Sequence, residues 1–197
     1  MQTFFPSLNI EETANILWED GISGNRLNNQ INEGLIILRT LTGWYTKRER
    51  KGYPNHACAK MWKGYEDYLA DYAIILVQEY EKLSGNDCSK RINQVLDAIF
   101  NTTCKIGPKP PWLTEEFASN HRSILLGKAH QNFANKIVDH QLSENDKSQK
   151  ALDKAQEILE WYQSFSWSEQ PAKMQMINGK MRWPYLWELK GNEIADG

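Results

Sequence analysis

The stretch of sequence that decides the fold is Arg26-Leu27-Asn28-Asn29-Gln30-Ile31-Asn32-Glu33-Gly34-Leu35-Ile36-Ile37-Leu38-Arg39-Thr40-Leu41. Its apolar residues recur at three- and four-residue steps, which places one group on a single helix face: Leu27, Ile31, Leu35, Leu38 and Leu41. A neighbouring stripe, about a quarter turn from the centre of that face, carries Arg26, Gln30, Glu33 and Ile37. We therefore predict an amphipathic helix that is capped by Ser23 or Asn25 and stops at Gly43.

Glu33 is the residue of this stripe that can carry chemistry. A carboxylate at the edge of a hydrophobic core is partly desolvated, so it binds a proton more readily than one in water. The alternative is a solvated flank in which Arg26, Gln30 and Glu33 form an ordinary hydrogen-bond ladder. The spacing of the three residues fits either interpretation.

Length and composition indicate a soluble intracellular protein with one core. The chain has 197 residues, a formal net charge of −2 and no apolar run that approaches the roughly 20 residues of a membrane span. Its first residues lack the features of a signal peptide. Cys58, Cys88 and Cys104 are odd in number and widely spaced, which predicts a reducing, cytoplasmic compartment. No zinc spacing is present, so we expect neither a metal nor a cofactor.

The remaining periodicity predicts an all-α, single-domain bundle. A first helix begins at Asn9 and runs to about Trp18, and a long helix of about eight turns runs from Asn55 to Ser84 as the central strut. Further helices are predicted after Asp87, after Thr114 and over residues 143–165. The aromatic tail after Ser166 shows little periodicity, and its apolar content favours docking in a groove over exposure.

A basic loop is the best candidate for phosphate binding. Four cations fall within five residues, flanked by Tyr45 and Tyr53: Lys47, Arg48, Arg50 and Lys51. A solvated loop explains the same charges. The sequence contains no glycine-rich phosphate loop, no Gly-x-Ser-x-Gly motif and no His-Glu-x-x-His motif. His56 and Cys58 face different ways on a predicted helix, so we interpret Cys58 as a core residue rather than a nucleophile.

Several blocks, in order, carry a resemblance to a known family. They are Met1-Gln2-Thr3-Phe4-Phe5-Pro6, Arg26-Leu27-x-x-Gln30-x-x-Glu33, Gly52-Tyr53-Pro54-Asn55-His56-Ala57 followed by Met61-Trp62-Lys63-Gly64-Tyr65-Glu66, Pro110-Pro111-Trp112-Leu113, His121-Arg122-Ser123-x-Leu125-Leu126, and Trp183-Pro184-Tyr185-Leu186-Trp187. Together they resemble the bacterial and phage branch of the pyrimidine-dimer DNA glycosylase (phage endonuclease V-like) superfamily.

The resemblance implies an all-helical fold and a particular chemistry. In that family an α-amine at the start of the chain attacks the deoxyribose C1′ as the base leaves, and a glutamate on an early helix assists. The glutamate position matches Glu33, and the amine would belong to Met1, or to Gln2 if Met1 is removed. An α-amine suits this role because its ordinary pKa is near 8, so a useful fraction is neutral at pH 7.

The resemblance also implies contacts to substrate and a division of the chain. We expect Arg26, Gln30, Asn55, His56, His121 and Arg122 to contact a flipped-out nucleotide or the phosphates of double-stranded DNA, and we expect no membrane partner. Residues 1–128 form the predicted glycosylase-like core, and residues 129–197 add a helix and the tail, packed on the same domain.

Two alternative functions remain open. One is a non-catalytic module that binds nucleic acid or protein in a phage–host setting, and the other is a glycosidase of free nucleosides or nucleotides.

Overall fold

The structure, a computed structural model, describes residues 3–19, 26–44, 54–100, 109–143 and 145–186. The regular secondary structure of these ranges is helical apart from one short hairpin, which confirms the predicted all-α class. The elements are α1 (Ile10–Glu19), α2 (Arg26–Thr42), α3 (Ala57–Met61), α4 (Glu66–Ser84), α5 (Ser89–Phe100), α6 (Glu115–Ser143), α7 (Asp146–Ser164), β1 (Gln175–Ile177) and β2 (Lys180–Arg182). Within the described ranges, no helix combines the length and apolar character that crossing a membrane requires.

The single helix predicted from Asn55 to Ser84 is wrong, because the structure divides it into α3 and α4. Gly64 lies between them with φ +89°, a left-handed conformation that glycine adopts without steric cost. The Glu66 carboxylate accepts a hydrogen bond from the Gly64 N–H at 3.0 Å and closes the turn before α4. Apolar residues keep helical spacing on both sides of the break, so periodicity alone did not reveal it.

The core is built around α4, which packs against α1, α2 and α5. Helix α2 buries the predicted Leu27, Ile31, Leu35 and Leu38. Its apolar face is wider than predicted, because Ile37 and Gln30 on the neighbouring stripe are also buried. The stripe that carries Glu33 therefore lies partly inside the protein, and Gln30 needs internal hydrogen-bond partners.

Helices α6 and α7 form a packed pair. Helix α6, with 29 residues, is the longest of the described elements, and it begins directly after Thr114, as predicted. Helix α7 confirms the helix predicted over residues 143–165. It begins with a capping box in which Asn145 and Ser148 exchange side-chain-to-backbone hydrogen bonds.

The segment after α7 crosses α6 and is attached to it. The Ala172 N–H donates to the Ser123 carbonyl at 2.8 Å, and the Asn120 side chain donates to the Pro184 carbonyl at 3.0 Å. Docking of the tail, as far as residue 186, is thereby confirmed. The hairpin of β1 and β2 was not predicted, because its three-residue strands are too short to show alternation.

Candidate functional site

The first described residues form an extended N-terminal segment, Thr3 to Pro6, which is buried throughout. Phe4 and Phe5 are 2% and 0% exposed and belong to the main hydrophobic core. A non-helical segment in a core must find partners for its backbone polar groups. The partners come from α2, α4 and α6, so this segment is where these three helices meet.

Helices α2 and α4 hold both backbone polar groups of Phe4. The Phe4 N–H donates to Oε1 of Gln30 at 2.8 Å, and the Tyr72 hydroxyl donates to the Phe4 carbonyl at 2.9 Å. Burial, with a smaller contribution from Cys58, holds the pKa of Tyr72 well above its usual value, so its hydroxyl keeps the donated proton. Gln30, predicted as a substrate contact, here positions the N-terminal segment; whether it also contacts substrate stays a prediction.

Helix α6 holds the next residues through two neighbouring side chains. The Phe5 N–H donates to Nδ1 of His121 at 2.7 Å, and Nη1 of Arg122 donates to the Pro6 carbonyl at 2.9 Å. Burial, and then the charge of Lys128, lowers the pKa of His121 to about 3. At neutral pH the imidazole is therefore uncharged, as an acceptor at Nδ1 must be.

Arg122 is held by acidic side chains as well as by Pro6. Its guanidinium pairs with Glu169 at 2.6 Å and with Glu115. The sequence predicted that His121 and Arg122 contact substrate. The structure places both against the N-terminal segment, and their contact with substrate stays a prediction.

Glu33 lies one helical turn after Gln30 on α2 and is half-buried. Burial raises the pKa of the Cys58 thiol to about 11, and the charge of Glu33 adds to this increase, so the carboxylate lies within electrostatic range of Cys58. The Cys58 sulfur is in turn 3.9 Å from Oγ1 of Thr3. Cys58 therefore contacts the beginning of the described chain, and the charge of Glu33 acts on it from a distance. Met1 and Gln2 lie outside the described residues.

Two cations approach the Phe4 ring. Nζ of Lys128 lies 4.9 Å from the ring centroid, and Cζ of Arg26 lies 5.7 Å from it. Lys128 also faces the rings of Trp183 and Tyr185, at 5.8 and 5.6 Å, and donates to the Tyr185 hydroxyl at 2.9 Å. These contacts connect the tail to the N-terminal segment.

Burial and the charge of Arg26 lower the pKa of Lys128 to about 7. Part of this amine is therefore neutral at physiological pH, which is unusual for a lysine. Sequence reasoning missed Lys128, because a single lysine on a helix carries no motif. The aromatic Trp183–Tyr185 segment was the available signal, since aromatic rings are preferred neighbours of a partly buried cation.

The remaining predicted site residues are placed as follows. His56 caps α3, where its Nδ1 accepts from the Cys58 N–H at 3.2 Å, and Asn55 is exposed just before it. The basic loop with Lys47, Arg48, Arg50 and Lys51 lies outside the described residues. Among the residues that the structure does describe, no three acidic, histidine or cysteine side chains cluster as metal ligands would.

A comparison of the sequence with models of protein families finds one similar family. Residues 1–93 match the family model of pyrimidine dimer DNA glycosylase. The family resemblance is thus confirmed over this range, which is slightly less than half of the chain. No curated protein and no solved structure gives a significant match to the chain.

The glycosylase match covers only part of the site. It includes the N-terminal segment, Gln30, Glu33, Cys58 and Tyr72, and it ends within α5. His121, Arg122 and Lys128 follow on α6, beyond the matched range. The part of this chain that resembles the glycosylase family therefore forms two of its backbone hydrogen bonds with residues outside the match.

Proposed function

We propose that the protein is a DNA N-glycosylase that removes damaged or modified pyrimidines, with the α-amine at the start of the chain as nucleophile and Glu33 as acid and base. The observation that carries the proposal is the hydrogen bond between Phe4 and Gln30, one turn from Glu33 on the same helix. It holds the beginning of the chain beside the helix that bears the acid. The family match over residues 1–93 supports the same reaction class.

The proposed reaction uses the two groups in sequence. The neutral amine of Met1, or of Gln2 if Met1 is removed, attacks C1′ of the deoxyribose, and the base leaves with the electrons of the glycosidic bond. The new amine–C1′ bond becomes a Schiff base when the C1′–O4′ bond opens and the nitrogen loses a proton. Glu33 is suited to transfer the proton that O4′ receives, because it lies on the helix that holds the beginning of the chain. Strand cleavage by a lyase step would follow from this intermediate.

Substrate access requires that the damaged base, or its partner, leaves the base stack of the duplex. Arg26, which lies over the Phe4 ring beside this site, is suited to hold a phosphate of the kinked strand. We further propose that the basic loop with Lys47, Arg48, Arg50 and Lys51 contacts the same strand.

The test is covalent trapping on duplex DNA that contains a thymine dimer. Borohydride should reduce the Schiff base, and mass spectrometry should locate the adduct on the first residue. Glu33→Gln should reduce trapping by at least about 100-fold, the usual range for loss of an acid–base group. Glu11→Gln, an exposed acid on α1, is the matched control and should trap like the wild type.

Two results would reject the proposal that the protein is a DNA N-glycosylase. One is no adduct and no abasic product with any modified pyrimidine. The other is identical behaviour of the Glu33→Gln and Glu11→Gln proteins. Binding of DNA without any reaction would instead support the non-catalytic module.

A further inference from the structure

The β1–β2 hairpin lies in the part of the chain beyond the family match. Its turn residues Asn178 and Gly179 both have positive φ, at 51° and 72°, as a tight two-residue hairpin turn requires. The register pairs Met176 with Met181 and Ile177 with Lys180. The turn thus defines a short, regular ribbon that extends from the tail.

The charge of this region differs from that of the whole protein. Between Gln170 and Trp183 the sequence has three cations, Lys173, Lys180 and Arg182, and no aspartate or glutamate. All three cations are exposed, in a protein whose net charge is −2. A local positive surface on an acidic protein is complementary to a polyanion.

The same ribbon exposes large apolar side chains. Met174, Met176 and Met181 are 37%, 66% and 54% exposed. Met176 and Met181 are cross-strand partners, so they lie on one face, whereas Lys180 and Arg182 lie on the other. Exposed methionines on a narrow ribbon are suited to packing in a groove, as apolar residues of minor-groove binders do.

The ribbon is continuous with the candidate site. Met174, Met181 and Trp183 border an open groove of about 700 Å³ along α6. The Trp183 ring faces Lys128, whose amine lies over the Phe4 ring. The hairpin therefore borders an open groove and is connected to the N-terminal segment through Trp183 and Lys128.

We propose that the hairpin binds double-stranded DNA through a surface separate from the candidate site beside Glu33. This hairpin surface consists of Lys173, Met174, Met176, Lys180, Met181 and Arg182. The methionine face of the ribbon packs against sugars and base edges in the minor groove, and the long side chains of the cations reach around the ribbon to the phosphates that border the groove. Charge complementarity and the exposed methionine pair carry the inference. It rests on the proposed function for the identity of the nucleic acid, but it requires no catalysis.

The experiment measures binding of a short fluorescent duplex by anisotropy over a series of salt concentrations, with the full chain. The triple variant Lys173→Gln/Lys180→Gln/Arg182→Gln should bind more weakly. Its slope of log K against log salt concentration should fall by about 0.9 for each phosphate that the variant no longer neutralises. Met176→Ser/Met181→Ser should weaken binding at an unchanged slope, because it removes no charge.

The control removes three exposed lysines from α7 by Lys147→Gln/Lys150→Gln/Lys154→Gln. Its overall charge equals that of the hairpin triple variant, so it separates local binding from net charge. Thermal melting of each variant confirms that the fold is retained. Equal slopes for the two triple variants, or a wild-type protein that does not bind duplex DNA, would overturn the proposal. Wild-type binding by the methionine variant would overturn the packing of the methionine pair in the groove.

The trapping assay separates this inference from the proposed reaction. If the wild type binds through the hairpin surface but traps no DNA, the reaction fails and the surface stands. If trapping succeeds and the hairpin variants bind like the α7 control, the surface fails and the reaction stands.

Discussion

The backbone N–H of Phe5 donates a hydrogen bond to Nδ1 of His121 at 2.7 Å, across 116 positions of sequence. This bond joins the segment beside the proposed catalytic acid to a helix that lies outside the family match. The N-terminal segment is therefore held from two sides, by α2 and α4 within the match and by α6 beyond it.

The buried His121 predicts that stability falls in acid. Its pKa is lowered from 6.5 to about 3 on folding, so the unfolded chain binds the proton more readily. The uncharged imidazole contributes fully to the free energy of unfolding above about pH 6.5. This contribution is lost as the pH falls toward 3, by up to about 1.4 kcal/mol per pH unit. Urea unfolding of the wild type between pH 7.5 and pH 4 should show this loss.

The matched variants are His121→Asn and His130→Asn. Asparagine at position 121 keeps an acceptor but cannot take up the proton, so its stability should vary less with pH. His130 is on the same helix and only half-buried, and its replacement leaves His121 in place, so the steep dependence should persist. A pH profile of His121→Asn that parallels the wild type would contradict the prediction.

Gln30→Leu should destabilise the protein by about 1–3 kcal/mol, because it leaves the buried Phe4 N–H without its acceptor. Asn29→Ala changes the exposed neighbour on the same helix. It should change the free energy of unfolding by no more than about 0.5 kcal/mol relative to the wild type. Chemical denaturation measures both, and amide exchange at Phe4 should accelerate only in the Gln30 variant. Equal stability of the two variants would show that the bond contributes nothing.

Lys128 should titrate near pH 7, since burial and the charge of Arg26 lower its pKa to about 7. The ¹³Cε resonance of this lysine measures the midpoint directly. Arg26→Gln removes one of the two causes, so the midpoint should move upward. A midpoint near the ordinary value of about 10.4 in the wild type would refute the assignment.

Lys128→Met keeps the apolar stem and removes the charge and the donor to Tyr185. Removal of the cation–π interactions and one hydrogen bond should destabilise the attachment of the tail by about 1–2 kcal/mol. Proteolysis between Trp183 and Leu186 should become faster, while the helices melt with little change. Unchanged proteolysis would argue that other side chains hold the tail.

Replacement by alanine should have opposite effects on stability at two helical glycines. A Cβ on Gly127 would collide with the Ala172 carbonyl and lie 2.8 Å from the Trp183 ring. Gly127→Ala should therefore cost about 1–3 kcal/mol in spite of better helix propensity. At Gly34 the nearest atom would be the Ala73 Cβ at 3.7 Å, so Gly34→Ala should gain up to about 1 kcal/mol. Thermal melting distinguishes the two; stabilisation by Gly127→Ala would mean that the crossing segment moves freely.

Local patterns predicted α2, its apolar face and the place of Glu33 on its edge. They also predicted α7, because helical spacing and caps depend on residues within a few positions of each other, whereas the docking of the tail followed from its apolar content. The same patterns failed at Gly64, where one backbone dihedral ends a helix although the apolar spacing continues.

The amino-acid sequence by itself determined the all-α class, helices α2 and α7, and the place of the acid at position 33 on its helix. Only the tertiary structure brought Tyr72, His121 and Lys128 onto Phe4 and Phe5, because these interactions join residues from 68 to 124 positions apart. Burial in that shared core, which no single helix creates, also lowers the pKa values of His121 and Lys128. The chemistry of the site is thus set by packing between elements.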